Sequence, residues 1–133
     1  MSTNPDFNPS PVETSESVVQ RQLDAYNARD LEALLGVYAD DAQLFEFPST
    51  LQAHGSHQLR ERFGARFKEP NLHAQLLQRI VMGRTVVDHE RITRTFPEGP
   101  GTLEMTMIYE VAGGRIQRAW AIPGARSLDP AQE

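Results

Sequence analysis

Apolar positions in the first half of the chain recur at helical spacing. Val12, Val19, Leu23 and Tyr26 mark one face of a helix predicted from 11 to about 28, with Ser10, Pro11 and Glu13 forming a capping box at its start. Asp30 has the chemistry of an N-cap for a second, shorter helix whose buried stripe is Leu31, Leu34, Leu35 and Tyr38. Asp40 and Asp41 close that helix and lead into a strand over 42–47. Leu59, Phe63 and Phe67, four residues apart, predict a third helix from near Ser56 to before Pro70. Its other faces carry Arg60, Arg62, Arg66 and Lys68, which read as a solvated surface.

Beyond Pro70 the pattern changes to alternating and β-branched residues, punctuated by turn signals at Gly83, Pro97 to Gly101 and Gly113-Gly114. Helices first and an antiparallel sheet after is an α+β arrangement. The glycine pair suits a two-residue hairpin loop needing positive φ at both positions. Counting back from it pairs Val111 with Ile116, Tyr109 with Arg118, Met107 with Trp120 and Met105 with Ile122. One face of the hairpin then holds Met105, Met107, Tyr109, Ile116, Trp120 and Ile122, with Arg118 its only charge.

Length and composition narrow the classes. At 133 residues the chain suits one domain, expected over 10–128, with a polar, proline-bearing leader at 1–9 and a tail at 129–133. The absence of cysteine excludes disulfides, thiolate metal sites and a cysteine nucleophile. A net charge of -5 and a pI near 5.3 speak against nucleic acid as a partner. No apolar run approaches the ~18 residues of a membrane span, and no signal segment is recognisable, so the expected address is the cytoplasm. Twelve of the thirteen basic residues are Arg, which favours fixed pairing with carboxylates, in internal salt bridges or at a dimer interface.

The candidate chemistry is carboxylate chemistry. In "YADDAQLFEFP", Glu46 interrupts an apolar strand and shares a face with Leu44, either toward a pocket or toward solvent. A pocket carboxylate has a raised pKa and suits a general base. In "VVDHERITRT", Asp88 and Glu90 alternate with His89 and Arg91. If Phe96 pairs with Gly101, Glu90 lies opposite Met107; a loop one residue different puts His89 there instead. His54 and His57 lack a third ligand at recognisable spacing, and no metal or cofactor is expected. No serine-nucleophile, phosphate-loop or dinucleotide motif exists.

"VVQRQLDAYNARDLEALLGVYADDAQLFEFP", followed by a helix and a sheet ending "YEVAGGRIQRAW", resembles the NTF2-like superfamily, in particular its ketosteroid-isomerase-like and SnoaL-like branch. The resemblance implies an α+β cone: three N-terminal helices packed on a strongly curved, mainly antiparallel sheet, with one deep apolar pocket, in a homodimer through the sheet. It places Glu46 at the proton-shuttling carboxylate. The oxyanion-hole tyrosine falls on Gln22 and the oxyanion-hole acid on Met107, which cannot donate a hydrogen bond. The resulting expectation is cofactor-free proton transfer on a small hydrophobic carbonyl compound. Glu46 is the base, Gln22 and Glu90 or His89 polarise the substrate, and Tyr26, Met105, Met107, Tyr109, Arg118 and Trp120 line the pocket. The alternatives are a non-catalytic binding or dimerisation module, and epoxide hydrolysis with Arg118 beside Asp88 or Glu90.

Overall fold

A computed structural model describes residues 14–130 of the chain. Three helices, α1 (Ser15–Ala28), α2 (Leu31–Gly36) and α3 (Gly55–Arg66), accompany six strands. These are β1 (Tyr38–Glu46), β2 (Thr50–His54), β3 (His73–Met82), β4 (Thr85–Phe96), β5 (Gly99–Ala112) and β6 (Arg115–Leu128). They form one sheet in the order β2-β1-β6-β5-β4-β3. Every neighbouring pair is antiparallel except β1 and β6. The core lies between the inner face of the sheet and the helices, and is built from Val18, Val19, Leu34, Leu59, Val86 and Ile116 among others. The expected α+β cone is the fold observed.

The helix starts follow local chemistry. Thr14 is extended, and its hydroxyl accepts from the Ser17 N–H at 3.0 Å, so α1 begins at Ser15 and not at 11. The predicted cap at Ser10, Pro11 and Glu13 lies outside the described residues. Arg29 ends α1 with φ 56°, and Asp30 caps α2 by accepting from Ala33 N at 3.1 Å. Two side chains of this turn fix the neighbouring layers. Asn27 bonds both the N–H and the carbonyl of Ala74, docking β3, while Arg29 donates to the carbonyls of Phe67 and Pro70 at the exit of α3.

Three expectations are corrected. Tyr38, Asp40 and Asp41 belong to β1 rather than to the end of α2; a strand partner, Ile116 on β6, captures Tyr38. The segment 50–54, too short and irregular to announce itself, is the strand β2. The third correction concerns the β5–β6 register. Gly113 and Gly114 do have positive φ, and Ala112–Arg115 and Val111–Ile116 do pair. Gln117 is then an extra residue, a β-bulge, and the register slips by one. Tyr109 therefore faces Ala119, Met107 faces Ala121 and Met105 faces Pro123, while Trp120 pairs with Ile108 and Arg118 with Glu110.

That slip makes the interior. Period-two geometry sends Arg118, Trp120 and Ile122 to the outer face, away from Met105, Met107 and Tyr109. Ala119, Ala121 and Pro123 replace them inside, so small residues stand where an indole ring would have filled the space.

Candidate functional site

The even residues of β4 point inward: Val86, Asp88, Glu90 and Ile92 are all buried. Two carboxyl groups thus enter an apolar face, and the protein handles them differently. Asp88, fully buried, accepts two hydrogen bonds from its cross-strand partner Arg79, at 2.7 and 2.9 Å. Arg79 is further held by the Gln20 side chain at 2.9 Å. This paired, bidentate arrangement keeps a buried charge tolerable.

Glu90, 4% exposed, has no such cation among the described residues. Among the described residues no side chain hydrogen-bonds its carboxyl. Burial, reinforced by the negative charge of Asp88 and only partly offset by Arg79, pushes its pKa up to about 8. At neutral pH Glu90 is a protonated acid, a buried hydrogen-bond donor.

Glu90 lines a cavity of about 240 Å³. Gln22, Tyr38, Tyr109, Met105 and Met107 share its inner wall, and Tyr26, Leu44, Phe63, Ala121 and Pro123 are among its further lining residues. Glu46, Gln52, Arg62, Arg66 and Arg94 stand at its mouth, where a second, open groove shares Gln52 and the three arginines. The cavity is smaller than the ~300–1,000 Å³ clefts that hold drug-sized ligands. It suits a compact compound.

Gln22 sits in a polar chain. Tyr109 Oη donates to its Oε1 at 3.2 Å, and its Nε2 donates to Tyr38 Oη at 3.4 Å. Gln22 thereby commits its amide to two tyrosines, and the hydroxyl proton of Tyr38 is left as a donor beside Glu90. Burial raises the pKa values of both tyrosines, so both hydroxyls keep their protons. Tyr26 is likewise raised by burial, against the opposing pull of Arg66.

The sequence-derived candidates separate cleanly. Gln22, Tyr26, Glu46, Glu90, Met105, Met107 and Tyr109 meet around the one cavity. Glu46 is at its rim, exposed, and accepts from Gln52 Nε2 at 3.3 Å. The open choice on β4 resolves to Glu90. The β4–β5 loop pairs Phe96 with Gly99 rather than Gly101, a two-residue difference that changes the partner of Glu90 to Met105 but keeps the face. His89 points outward and meets Glu104 at 3.0 Å. Arg118 and Trp120 are also outside the cavity: Arg118 contacts Glu110 at 3.4 Å, and Trp120 stacks on Phe45 at 5.7 Å. Their removal follows from the bulge at Gln117.

Tyr38 and the mouth arginines are absent from the sequence-derived set. Tyr38 carries a helical spacing signal that disguised it as core, and Arg62 and Arg66 lie on a helix face that reads as solvated. Among the described residues no group of three His, Asp or Glu side chains could hold a metal ion. His57 is beside Glu61 at 3.6 Å on the surface. No helix among them is long and apolar enough to cross a membrane.

Comparison with known proteins agrees with this architecture. Residues 19–119 match the SnoaL-like domain family. An uncharacterised cystatin-fold protein from Novosphingobium aromaticivorans superposes with a TM-score of 0.75 at 22% identity, over 82% of this chain and 97% of that one. A candidate polyketide cyclase from Sinorhizobium meliloti gives 0.66 at 26% identity, over 78% and 92%. A candidate ketosteroid isomerase from Kribbella flavida gives 0.71 at 16% identity, over 91% and 86%. No curated protein sequence matches the chain.

Proposed function

The chain belongs to the SnoaL-like domain family, and we propose that its cavity carries out proton transfer, of the isomerase or cyclase type, on a small and largely apolar carbonyl compound without a cofactor. The observation that carries this reading is Glu90, a buried acid with no ion-pair partner among the described residues, facing the cavity whose rim holds the exposed carboxylate Glu46. Two carboxyl groups in such different surroundings suit opposite roles.

The chemistry is as follows. Glu46 takes a proton from the carbon next to the carbonyl; the C–H electron pair moves into the new C=C bond, and the carbonyl oxygen gains negative charge. Glu90 and Tyr38 donate hydrogen bonds to that oxygen, replacing the donors that Gln22 and Met107 do not supply. Donors preorganised in a dry site are typically worth ~10²–10³ in rate. In a β,γ-unsaturated substrate, return of the proton from Glu46 to the γ carbon of the dienolate gives the conjugated isomer; in a dicarbonyl substrate, attack of the enolate carbon on the second carbonyl closes a ring, and the alkoxide formed takes the proton from Glu46.

A generic probe tests the reading without the natural substrate. Phenylacetone in deuterated buffer exchanges its activated hydrogens, and NMR follows the exchange. Wild-type protein should accelerate it, and Glu46→Gln and Glu90→Gln should each remove most of the acceleration. Equal rates in all three proteins would sink the assignment.

A second reading, a binding module without turnover, is favoured by Met107 at a position where the resemblance calls for a donor. Under either reading the proposed assembly is a homodimer through the outer sheet face, where Phe45, Ile108, Trp120 and Ile122 lie only partly covered, and the proposed compartment is the cytoplasm. Epoxide hydrolysis has weaker support. The Asp88–Arg79 pair that resembles its charge cluster is not part of the cavity lining.

A further inference from the structure

The mouth of the cavity carries more positive charge than its surroundings neutralise. Arg62 and Arg66 project from α3 and Arg94 from the end of β4, and all three line both the cavity and the groove outside it. Glu69 is the carboxylate paired with two of them. Arg94 Nε bonds both of its oxygens at 2.9 and 3.1 Å, Arg66 stands at 3.4 Å, and the backbone N–H of Thr95 donates to it at 3.2 Å. One anion is thus shared by two guanidinium groups.

Arg62 is different. It is half-buried, and its Nη2 donates at 3.0 Å to the side-chain oxygen of Gln52, a neutral amide. Burial, then repulsion from Arg66 and Arg94, disfavours its charge, while Glu46 favours it. Gln52 in turn uses its amide N–H to hold Glu46. Glu61 lines the groove but not the cavity, is strongly exposed and lies beside His57. Among the charges that line the cavity itself, with Glu69 added, three cations against Glu69 and Glu46 leave one positive charge at the opening of an apolar chamber; Glu61 lines only the groove outside. The inner wall adds no negative charge near neutrality, because Glu90 is protonated.

We propose that this mouth is an anion subsite, and that the ligand of the cavity is a monocarboxylate: a compact apolar body inside, with a carboxylate at its outer end held by Arg62 and flanked by Arg66 and Arg94. The substrate class this assigns, resting on the proton-transfer reading, is the oxo acids rather than neutral ketones. A planar guanidinium matches a carboxylate with two parallel hydrogen bonds. A single net charge suits a monoanion, whereas a phosphate monoester would bring a second charge against Glu46. Size agrees as well, since an apolar cavity of ~150 Å³ accepts benzene and about 240 Å³ leaves room for a ring and a short chain.

The experiment is calorimetric titration of the full chain with phenylbutyrate, its methyl ester and phenylpropyl phosphate, on wild type, Arg62→Gln, Arg62→Lys and Glu90→Gln. Circular dichroism confirms that each variant is folded, and Arg66→Gln stands in for Arg62→Gln if that variant is not. The expected result is that wild type binds the acid at least tenfold more tightly than the ester. Arg62→Gln should abolish the preference, Arg62→Lys should restore part of it, and Glu90→Gln should retain it. Equal affinity for acid and ester overturns the anion subsite while leaving proton transfer to stand or fall on the phenylacetone exchange. Tighter binding of the phosphate overturns the monocarboxylate assignment. Binding of none of the three overturns the subsite.

Discussion

Asp88 and Glu90 lie two residues apart on the same inward face of β4, and the guanidinium of Arg79 hydrogen-bonds only the first of them. The cation is placed by strand pairing: Arg79 is the direct cross-strand partner of Asp88, whereas the partner of Glu90 is Leu76. A charged buried pair and a neutral buried acid therefore stand side by side, and the negative charge of the first helps hold the proton on the second.

This makes stability depend on pH through Glu90. Its folded pKa of about 8 lies above the roughly 4.3 of an unfolded glutamate. Below both values each state holds the proton and the group contributes nothing. Between them the folded state binds a proton that the unfolded state releases, so stability falls as pH rises, by roughly 1.4 kcal/mol per unit. Above about pH 8 the loss is complete. Glu90→Gln should lack this slope, and urea unfolding of both proteins across this window should find the variant the more stable at the alkaline end.

Asp88→Asn should act on both groups. Arg79 loses its bidentate partner while remaining largely buried, a change that costs roughly 3–5 kcal/mol. Glu90 loses the nearby negative charge, so its titration moves toward lower pH. Carboxyl-carbon NMR reads the second effect in the folded protein independently of the first.

The hydroxyls of the Gln22 chain should separate structure from chemistry. Tyr109→Phe removes the donor to Gln22 Oε1 and leaves a buried acceptor unpaired, at about 1–3 kcal/mol of stability. Tyr38→Phe removes the donor that faces the cavity, and should reduce the rate of phenylacetone exchange by about 10²-fold. Thermal unfolding and the exchange assay together assign each residue.

The outer sheet face predicts assembly. Trp120→Arg places a charge in the middle of the partly covered Phe45–Trp120 pair while touching neither the core nor the cavity. Sedimentation should show wild-type dimers and variant monomers with unchanged circular dichroism; a monomeric wild type would remove the dimer from the proposal.

The sequence by itself determined the three helices and the antiparallel sheet that follows Pro70, but not the strand β2 or the true start of β1. Helical spacing, the Asp30 cap and the Gly113-Gly114 loop are short-range signals, and each appears in the structure close to where it was read. Alternation along β4 reduced the pocket-facing choice to Glu90 or His89, because strand geometry has only two faces. What only the tertiary structure decided is what stands opposite each residue. A glycine loop sets register only as far as the first bulge, and the bulge at Gln117 exchanged Trp120 for Ala121 on the inner wall, opening the cavity. Burial is likewise a property of the packed sheet. It separates the buried Glu90 from Glu46 at the rim, although both read simply as a glutamate on an apolar strand. The three mouth arginines come from α3 and from the far end of β4, and no local pattern could show that they meet.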